Sequence, residues 1–222
     1  MTTITEDLVL LLLHPEQGRA LVDGTSLDRV IGGALLLDLA ERERLTADGT
    51  GAKARLSVSD PAPTGDALLD EALSRIAGNP VRAQKAVERL ARRTRVPVLE
   101  RLVERGLVRR ESSRVLGLIP VTTWPPADRG PADELRARVA AVLRDGQRPD
   151  PRTALLVSLL HAVKAEHKVV DGPRRQLRAR AAEVAEGDWA GDAVRKAVQA
   201  VQTSVVTAVT ASAVAASSAS GS

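Results

Sequence analysis

Aromatic side chains are nearly missing from this chain of 222 residues, which has two tryptophans, Trp124 and Trp189, and no phenylalanine or tyrosine. A folded core therefore has to be built from Leu, Ile, Val and Ala. Leu and Ala are strong helix formers, so this composition favours a mainly α protein. The length allows one sizeable core or two small domains.

Helix start and stop signals recur along the chain. Thr3 and Glu6 have the spacing of a capping box before the apolar run DLVLLLL. From Leu27 to about Arg44, apolar residues recur with a helical period, and Asp150 followed by proline opens a third apolar helix. These segments predict a central bundle of apolar helices with amphipathic helices around it.

Two stretches have the pattern of small β-hairpins. Residues 44–58 have β-favouring ends around an Asp48-Gly49 turn, and residues 107–122 form a second candidate with Glu111–Ser113 at its tip. We therefore predict one mainly α domain over residues 1–212 with two small β-hairpins. The low-complexity end of the chain predicts a disordered tail over residues 213–222.

The residues needed for common catalytic and metal chemistry are missing from the sequence. There is no cysteine, and His161 and His167 are six positions apart, which does not place them on one helix face as i,i+4 ligands. No Walker loop, nucleophile elbow or dinucleotide fingerprint occurs. We predict that the protein is not an enzyme and has no metal site or cofactor. Neither a signal peptide nor a membrane span is recognisable, so we expect a cytoplasmic protein.

A dense group of arginines lies in the stretch ERLARRTRVPVLERL, residues 88–102, of a chain with a net charge of +4. Three interpretations are open. Arg92 and Arg93 can be the solvated end of a helix, where they complement its dipole. Arg89 and Arg101 are interpreted as solvated residues of helix faces. A helix followed by an arginine-containing hairpin is also typical of winged-helix nucleic-acid binders, although Glu100 and Glu104 lie where bases would be read. A helix beginning near Thr94 could instead hold a single anionic headgroup.

Several stretches resemble the Golgi phosphoprotein 3 family in order and spacing. The most specific is APTGDALLDEAL, residues 62–73. It is supported by TEDLVLLLLHPEQGRA, IGGALLLDLAERERL, ERLVERGLV and PVTTWP. The similarity covers roughly residues 3–160. It implies a mostly helical domain with a projecting hairpin, here 107–122, through which copies of the chain would form a homo-oligomer.

The resemblance also implies a function. Eukaryotic members of the family are peripheral membrane proteins that bind phosphatidylinositol 4-phosphate and are not enzymes. We therefore expect a membrane adaptor on the cytosolic face of a membrane, with an anionic phospholipid headgroup as its partner and no nucleic acid. A winged-helix-like nucleic-acid binder and a protein-interaction scaffold without lipid binding remain the alternatives.

The family's headgroup pocket can be placed on this sequence by ungapped counting. Its two arginines correspond to Arg92 and Arg95, with Arg93 and a helix N-terminus beside them. Two further pocket positions, a tryptophan and an arginine in the family, correspond to Asp23 and Gly32. Loss of the tryptophan removes an apolar membrane contact, and Asp23 would repel a phosphate. The resemblance thus implies a pocket of this kind whose lipid is open.

Overall fold

The computed structural model describes residues 2–49, 53–115, 119–187 and 192–219. The helices in this part of the chain are α1 (Ile4–Leu12), α2 (Gly24–Glu41), α3 (Ala67–Ile76), α4 (Ala83–Ala91), α5 (Arg95–Glu104), α6 (Gly130–Leu143), α7 (Pro151–Ala162), α8 (Glu166–Val169), α9 (Arg174–Glu186) and α10 (Asp192–Ala219). The strands are β1 (Leu45–Asp48), β2 (Arg55–Val58), β3 (Val81–Arg82), β4 (Glu111–Val115) and β5 (Ile119–Thr123).

Helix α2 is the centre of the molecule. It is buried from Ser26 to Ala40 except at two positions and packs against α1, α4, α7 and α10. Helix α1 is buried over its whole length. Its start is the capping box that the sequence predicted, because the Thr3 hydroxyl accepts from the Glu6 amide and the Glu6 carboxylate accepts from the Thr3 amide. The mainly α fold with a central apolar bundle is confirmed.

The glycine pair in α2 lets two other helices come close. A Cβ atom built on Gly32 would lie 2.7 Å from the carbonyl oxygen of Val87 in α4. A Cβ atom on Gly33 would lie 2.9 Å from a methyl group of Val205 in α10. Both glycines therefore serve close helix packing, one of the two roles that adjacent glycines inside a helix suggest.

The two predicted hairpins are present, with two differences. Strands β1 and β2 pair antiparallel as far as Asp48 and Arg55, and β3 adds a third strand that the sequence analysis missed because it is only two residues long. In the second hairpin the predicted tip is wrong. Glu111 pairs with Thr123 and Ser113 with Val121, so residues 111–113 belong to β4, and residues 116–118, between β4 and β5, lie outside the described residues.

The last helix, α10, runs to Ala219 and so includes positions 213–219 of the predicted tail. The division of the chain at residue 212 stays a prediction. In the described ranges, no helix combines the length and apolar character required to cross a membrane.

Candidate functional site

The arginine-rich stretch forms the junction between α4 and α5. One face of α4 is buried through Ala83, Ala86, Val87 and Leu90, which leaves positions 85, 88, 89 and 92 on the exposed face. Helical spacing thus collects the charged side chains on one side of α4. The cluster was only partly found from the sequence, because the spacing of Lys85, Arg89 and Arg92 along α4 was not considered.

The turn between the two helices is tightly constrained. Arg92 has an extended backbone, and Arg93 has a φ of 59°, in the left-handed region that favours glycine. The Thr94 side chain is buried and donates to the carbonyl of Leu90. Thr94 directly precedes α5 but makes no capping hydrogen bond to it with its side chain. Arg75 Nη1 donates to the carbonyl of Arg92 at 2.7 Å and ties the turn to α3.

A shallow, open depression lies beside this turn. We name it the α4 depression; five cations and one carboxylate line it, namely Arg75, Lys85, Glu88, Arg89, Arg92 and Arg93. Arg75 is paired with Glu71, and Glu88 accepts a hydrogen bond from Gln84. Lys85, Arg89, Arg92 and Arg93 are exposed, and none of them has an ion pair or side-chain hydrogen bond with the described parts of the chain. Four unpaired cations against the single carboxylate of Glu88 leave the depression with an excess of positive charge.

Arg95 lies apart from this depression. Its Nε donates to Asp28 at 2.7 Å, and Nη2 donates to the carbonyl of Gly24, both in the first half of α2. Arg92 and Arg95 thus point in different directions from one turn: Arg92 lines the α4 depression, whereas Arg95 fastens the start of α5 to the start of α2.

The other two predicted pocket positions have structural roles in α2. Asp23 is exposed and caps the helix, accepting from the Ser26 amide at 2.9 Å and the Ser26 hydroxyl at 2.6 Å. Partial burial would raise the pKa of Asp23, but these hydrogen bonds lower it below its ordinary value. Gly32 is buried against the backbone of α4, where there is no room for a side chain. Neither residue lines the α4 depression.

The prediction that Arg101 is a solvated side chain is wrong. Arg101 is mostly covered and makes a bidentate ion pair with Asp66 as well as a 3.1 Å ion pair with the buried Glu6. Burial would raise the pKa of Asp66, but the Arg101 guanidinium and the amides of α3 lower it. Asp66 belongs to the stretch APTGDALLDEAL, so this signature joins α3, α5 and α1 and is structural.

The described residues contain no group of three or more His, Asp or Glu side chains placed to hold a metal ion. The closest histidine pairing is with a carboxylate: His161 Nδ1 lies 2.6 Å from Glu166, which is buried. The candidate site in the described part of the chain is therefore the group of cations at the α4–α5 turn.

Comparison with known proteins agrees with this fold. A family model described as Golgi phosphoprotein 3 (GPP34) matches residues 4–201. The chain is also 25% identical over 162 residues to vacuolar protein sorting-associated protein 74 of Eremothecium gossypii, a match that covers 64% of this chain. The chain spans about half, 49%, of the length of this curated relative.

Proposed function

Because the chain belongs to the Golgi phosphoprotein 3 family, as the match over residues 4–201 shows, we propose that it is a peripheral membrane adaptor that binds an anionic phospholipid headgroup and is not an enzyme. The observation that carries this proposal is the α4 depression, in which four exposed cations lack ionic partners among the described residues. Uncompensated positive charge attracts an anionic ligand, and arginine suits phosphate because its planar fork binds two oxygens at once.

We assign headgroup contact to Arg92 and Arg93, with Lys85 and Arg89 beside them. Arg92 and Arg93 extend from a turn that is held by the buried Thr94 and by Arg75, so their backbone positions are set before a ligand arrives. Preorganisation of this kind reduces the entropy lost on binding. Arg95 acts as a positioning residue, because it fastens the start of α5, directly after this turn, to α2.

Phosphatidylinositol 4-phosphate is the headgroup that the family resemblance implies, and the α4 depression supports the broader class of phosphorylated or anionic lipids. The protein offers no aromatic side chain at position 23, so recognition here relies on charge. We therefore propose that binding weakens steeply with salt, since exposed charges are screened beyond about 8 Å at physiological ionic strength.

Vesicle co-sedimentation tests this proposal. Phosphatidylcholine vesicles, with and without phosphatidylinositol 4-phosphate or phosphatidylglycerol, are mixed with the parent protein and with the double variant Arg92→Gln/Arg93→Gln. Each cation near an anionic surface contributes about 1 kcal/mol, so the variant should bind about 30-fold more weakly. The matched control is Arg138→Gln/Arg148→Gln, which removes the same charge from two exposed arginines outside the depression.

Equal binding by the parent and by Arg92→Gln/Arg93→Gln would overturn the assignment of the site. Absence of any binding to anionic vesicles would favour a protein-interaction scaffold instead. Retention of duplex DNA at low salt would favour the nucleic-acid alternative, for which the exposed face of α5 is poorly suited because it carries Glu100 and Glu104.

A further inference from the structure

A second group of cations lies at the junction of α8 and α9, which pack against each other. Lys168 and Arg174 are exposed, and His167, which directly precedes Lys168, is half-buried. The proximity of Arg174 and Lys168 to His167 is reflected in the pKa of that imidazole, which burial and these two cations lower below its ordinary value. We call Lys168 and Arg174 the α8–α9 cations.

These cations are connected to the loop that precedes α2. Lys168 Nζ donates to the carbonyl of Leu21 at 2.7 Å. Arg95 Nη2 donates to the carbonyl of Gly24, three residues further along the same segment. Three residues of chain span at most about 11 Å. Lys168 and Arg95 therefore hold the two ends of one short segment, 21–24.

The carboxylates along this segment are already engaged. Asp28 is paired with Arg95 at 2.7 Å. Asp23 is held by the amide and hydroxyl of Ser26 at the positive end of α2. Near His167, Glu166 is buried and lies against His161. Asp171 is exposed between Lys168 and Arg174 in the chain, and Asp23 keeps its negative charge, but neither Lys168 nor Arg174 makes an ion pair with an acid among the described residues.

We propose that the α8–α9 cations and the α4 depression form one continuous lipid-facing surface, with segment 21–24 between them, which contacts several anionic headgroups of a bilayer at once. This inference rests on the proposed lipid binding and extends it from one headgroup pocket to an interface with the membrane plane. Linked contacts of this kind bind a multivalent surface more tightly than a free headgroup, because later contacts form at high effective concentration.

The membrane is the occupant that charge complementarity favours. The α4 depression is open and lacks the apolar walls that enclose a small ligand, and its cations are spread along an exposed helix face. A free phosphate or soluble headgroup would engage only a few of these side chains. An anionic bilayer presents a charge to each of them.

The decisive variant is Arg174→Glu. Arg174 is the first residue of α9, where a cation opposes the helix dipole and a carboxylate complements it, so the variant should unfold at a temperature no lower than the parent. The charge change is two units, and about 1 kcal/mol per unit predicts about 30-fold weaker binding to phosphatidylglycerol vesicles. Lys168→Gln, which removes one charge, should weaken binding about fivefold by the same reasoning.

Arg138→Glu provides the control for net charge, because Arg138 is exposed on α6 and undergoes the same substitution. The inference is overturned if Arg138→Glu weakens vesicle binding as much as Arg174→Glu does. It is also overturned if Arg174→Glu binds like the parent while Arg92→Gln/Arg93→Gln does not, a result that leaves the proposed function intact. If the parent protein does not bind anionic vesicles, both proposals fail.

Inorganic phosphate separates a surface from a single pocket. Vesicle binding should resist inorganic phosphate at an ionic strength held constant with chloride, because one phosphate ion cannot replace several headgroup contacts. Complete release by phosphate under those conditions would overturn the extended surface and would still be compatible with a single headgroup site.

Discussion

A methyl group at position 32 should push helices α2 and α4 apart. The Cβ atom of Gly32→Ala would lie 2.7 Å from the carbonyl oxygen of Val87 and 2.9 Å from the amide nitrogen of Ala91. Both are backbone atoms, so the steric overlap can be removed only if helix α4 moves. Overpacking costs about 1–3 kcal/mol, and contact with backbone places this site near the upper end. Alanine gains about 1 kcal/mol over glycine in a helix interior, which leaves a net loss of about 2 kcal/mol.

Thermal unfolding measures this difference. For a domain of this size, 2 kcal/mol corresponds to a fall of about 4–8 °C in Tm. Gly33→Ala is the matched control, since its Cβ would meet methyl groups of Val205 and Val201 at 2.9 and 3.0 Å, which are side-chain atoms and can move. We expect Gly33→Ala to lose less stability. An increase in the Tm of Gly32→Ala, as helix propensity alone predicts, would refute the close approach of the two helices.

The close contact between Gly32 and α4 also bears on the headgroup pocket that the family resemblance implies. The family resemblance places an arginine at this position, and the fold of this chain has no space for one beside α4. Gly32→Arg should therefore destabilise the protein by more than Gly32→Ala does, rather than add a phosphate ligand. A folded Gly32→Arg variant with the parent's Tm would contradict this.

Two further predictions concern the turn after α4 and a buried carboxylate. Arg93→Gly should raise the free energy of unfolding by about 0.5–1 kcal/mol. A φ of 59° costs a non-glycine residue about 1–2 kcal/mol, and glycine loses part of this gain because it makes the unfolded chain more flexible. Urea unfolding measures the gain, and vesicle binding should fall about fivefold because one cation is lost. A variant that loses both stability and binding would contradict the assigned backbone strain. Burial raises the pKa of Asp38 to about 6 from 3.8, although Thr5 and Ile4 donate hydrogen bonds to it. Between these two pKa values the native state holds a proton that the unfolded chain has released. The contribution of Asp38 to the free energy of unfolding is therefore largest below pH 4. It falls by about 3 kcal/mol at most as the pH rises through about 6. Urea unfolding of the parent and of Asp38→Asn from pH 4 to 7 should show the parent losing stability relative to the variant; a constant difference would refute the raised pKa.

Much of the helical architecture could be predicted because its signals are local. The capping box of Thr3 and Glu6 and the Asp150 cap with the following proline operate within one helical turn, so they mark α1 and α7 without knowledge of neighbours. The antiparallel pairing of β1 with β2 has the same local origin. The tip of the second hairpin was misplaced because register depends on cross-strand pairing as well as turn residues.

The candidate site was only partly predictable for the opposite reason. The arginine-rich segment was visible in the sequence, and a likeness to known motifs singled out Arg92 and Arg95 within it. Whether a given arginine is free depends on acids that are distant in the chain. Arg95 is paired with Asp28, 67 positions away, and Arg101 is paired with Asp66, 35 positions away.

The sequence by itself determined that this chain builds a mainly α core from aliphatic side chains, because helix propensity, capping and apolar periodicity are properties of neighbouring residues. Only the tertiary structure decided which cations are left for a ligand. Long-range packing brings Asp28 to Arg95 and Asp66 to Arg101, and it leaves Lys85, Arg89, Arg92 and Arg93 together on the outer face of α4. Electrostatic compensation acts through space, so the order of residues along the chain does not reveal it.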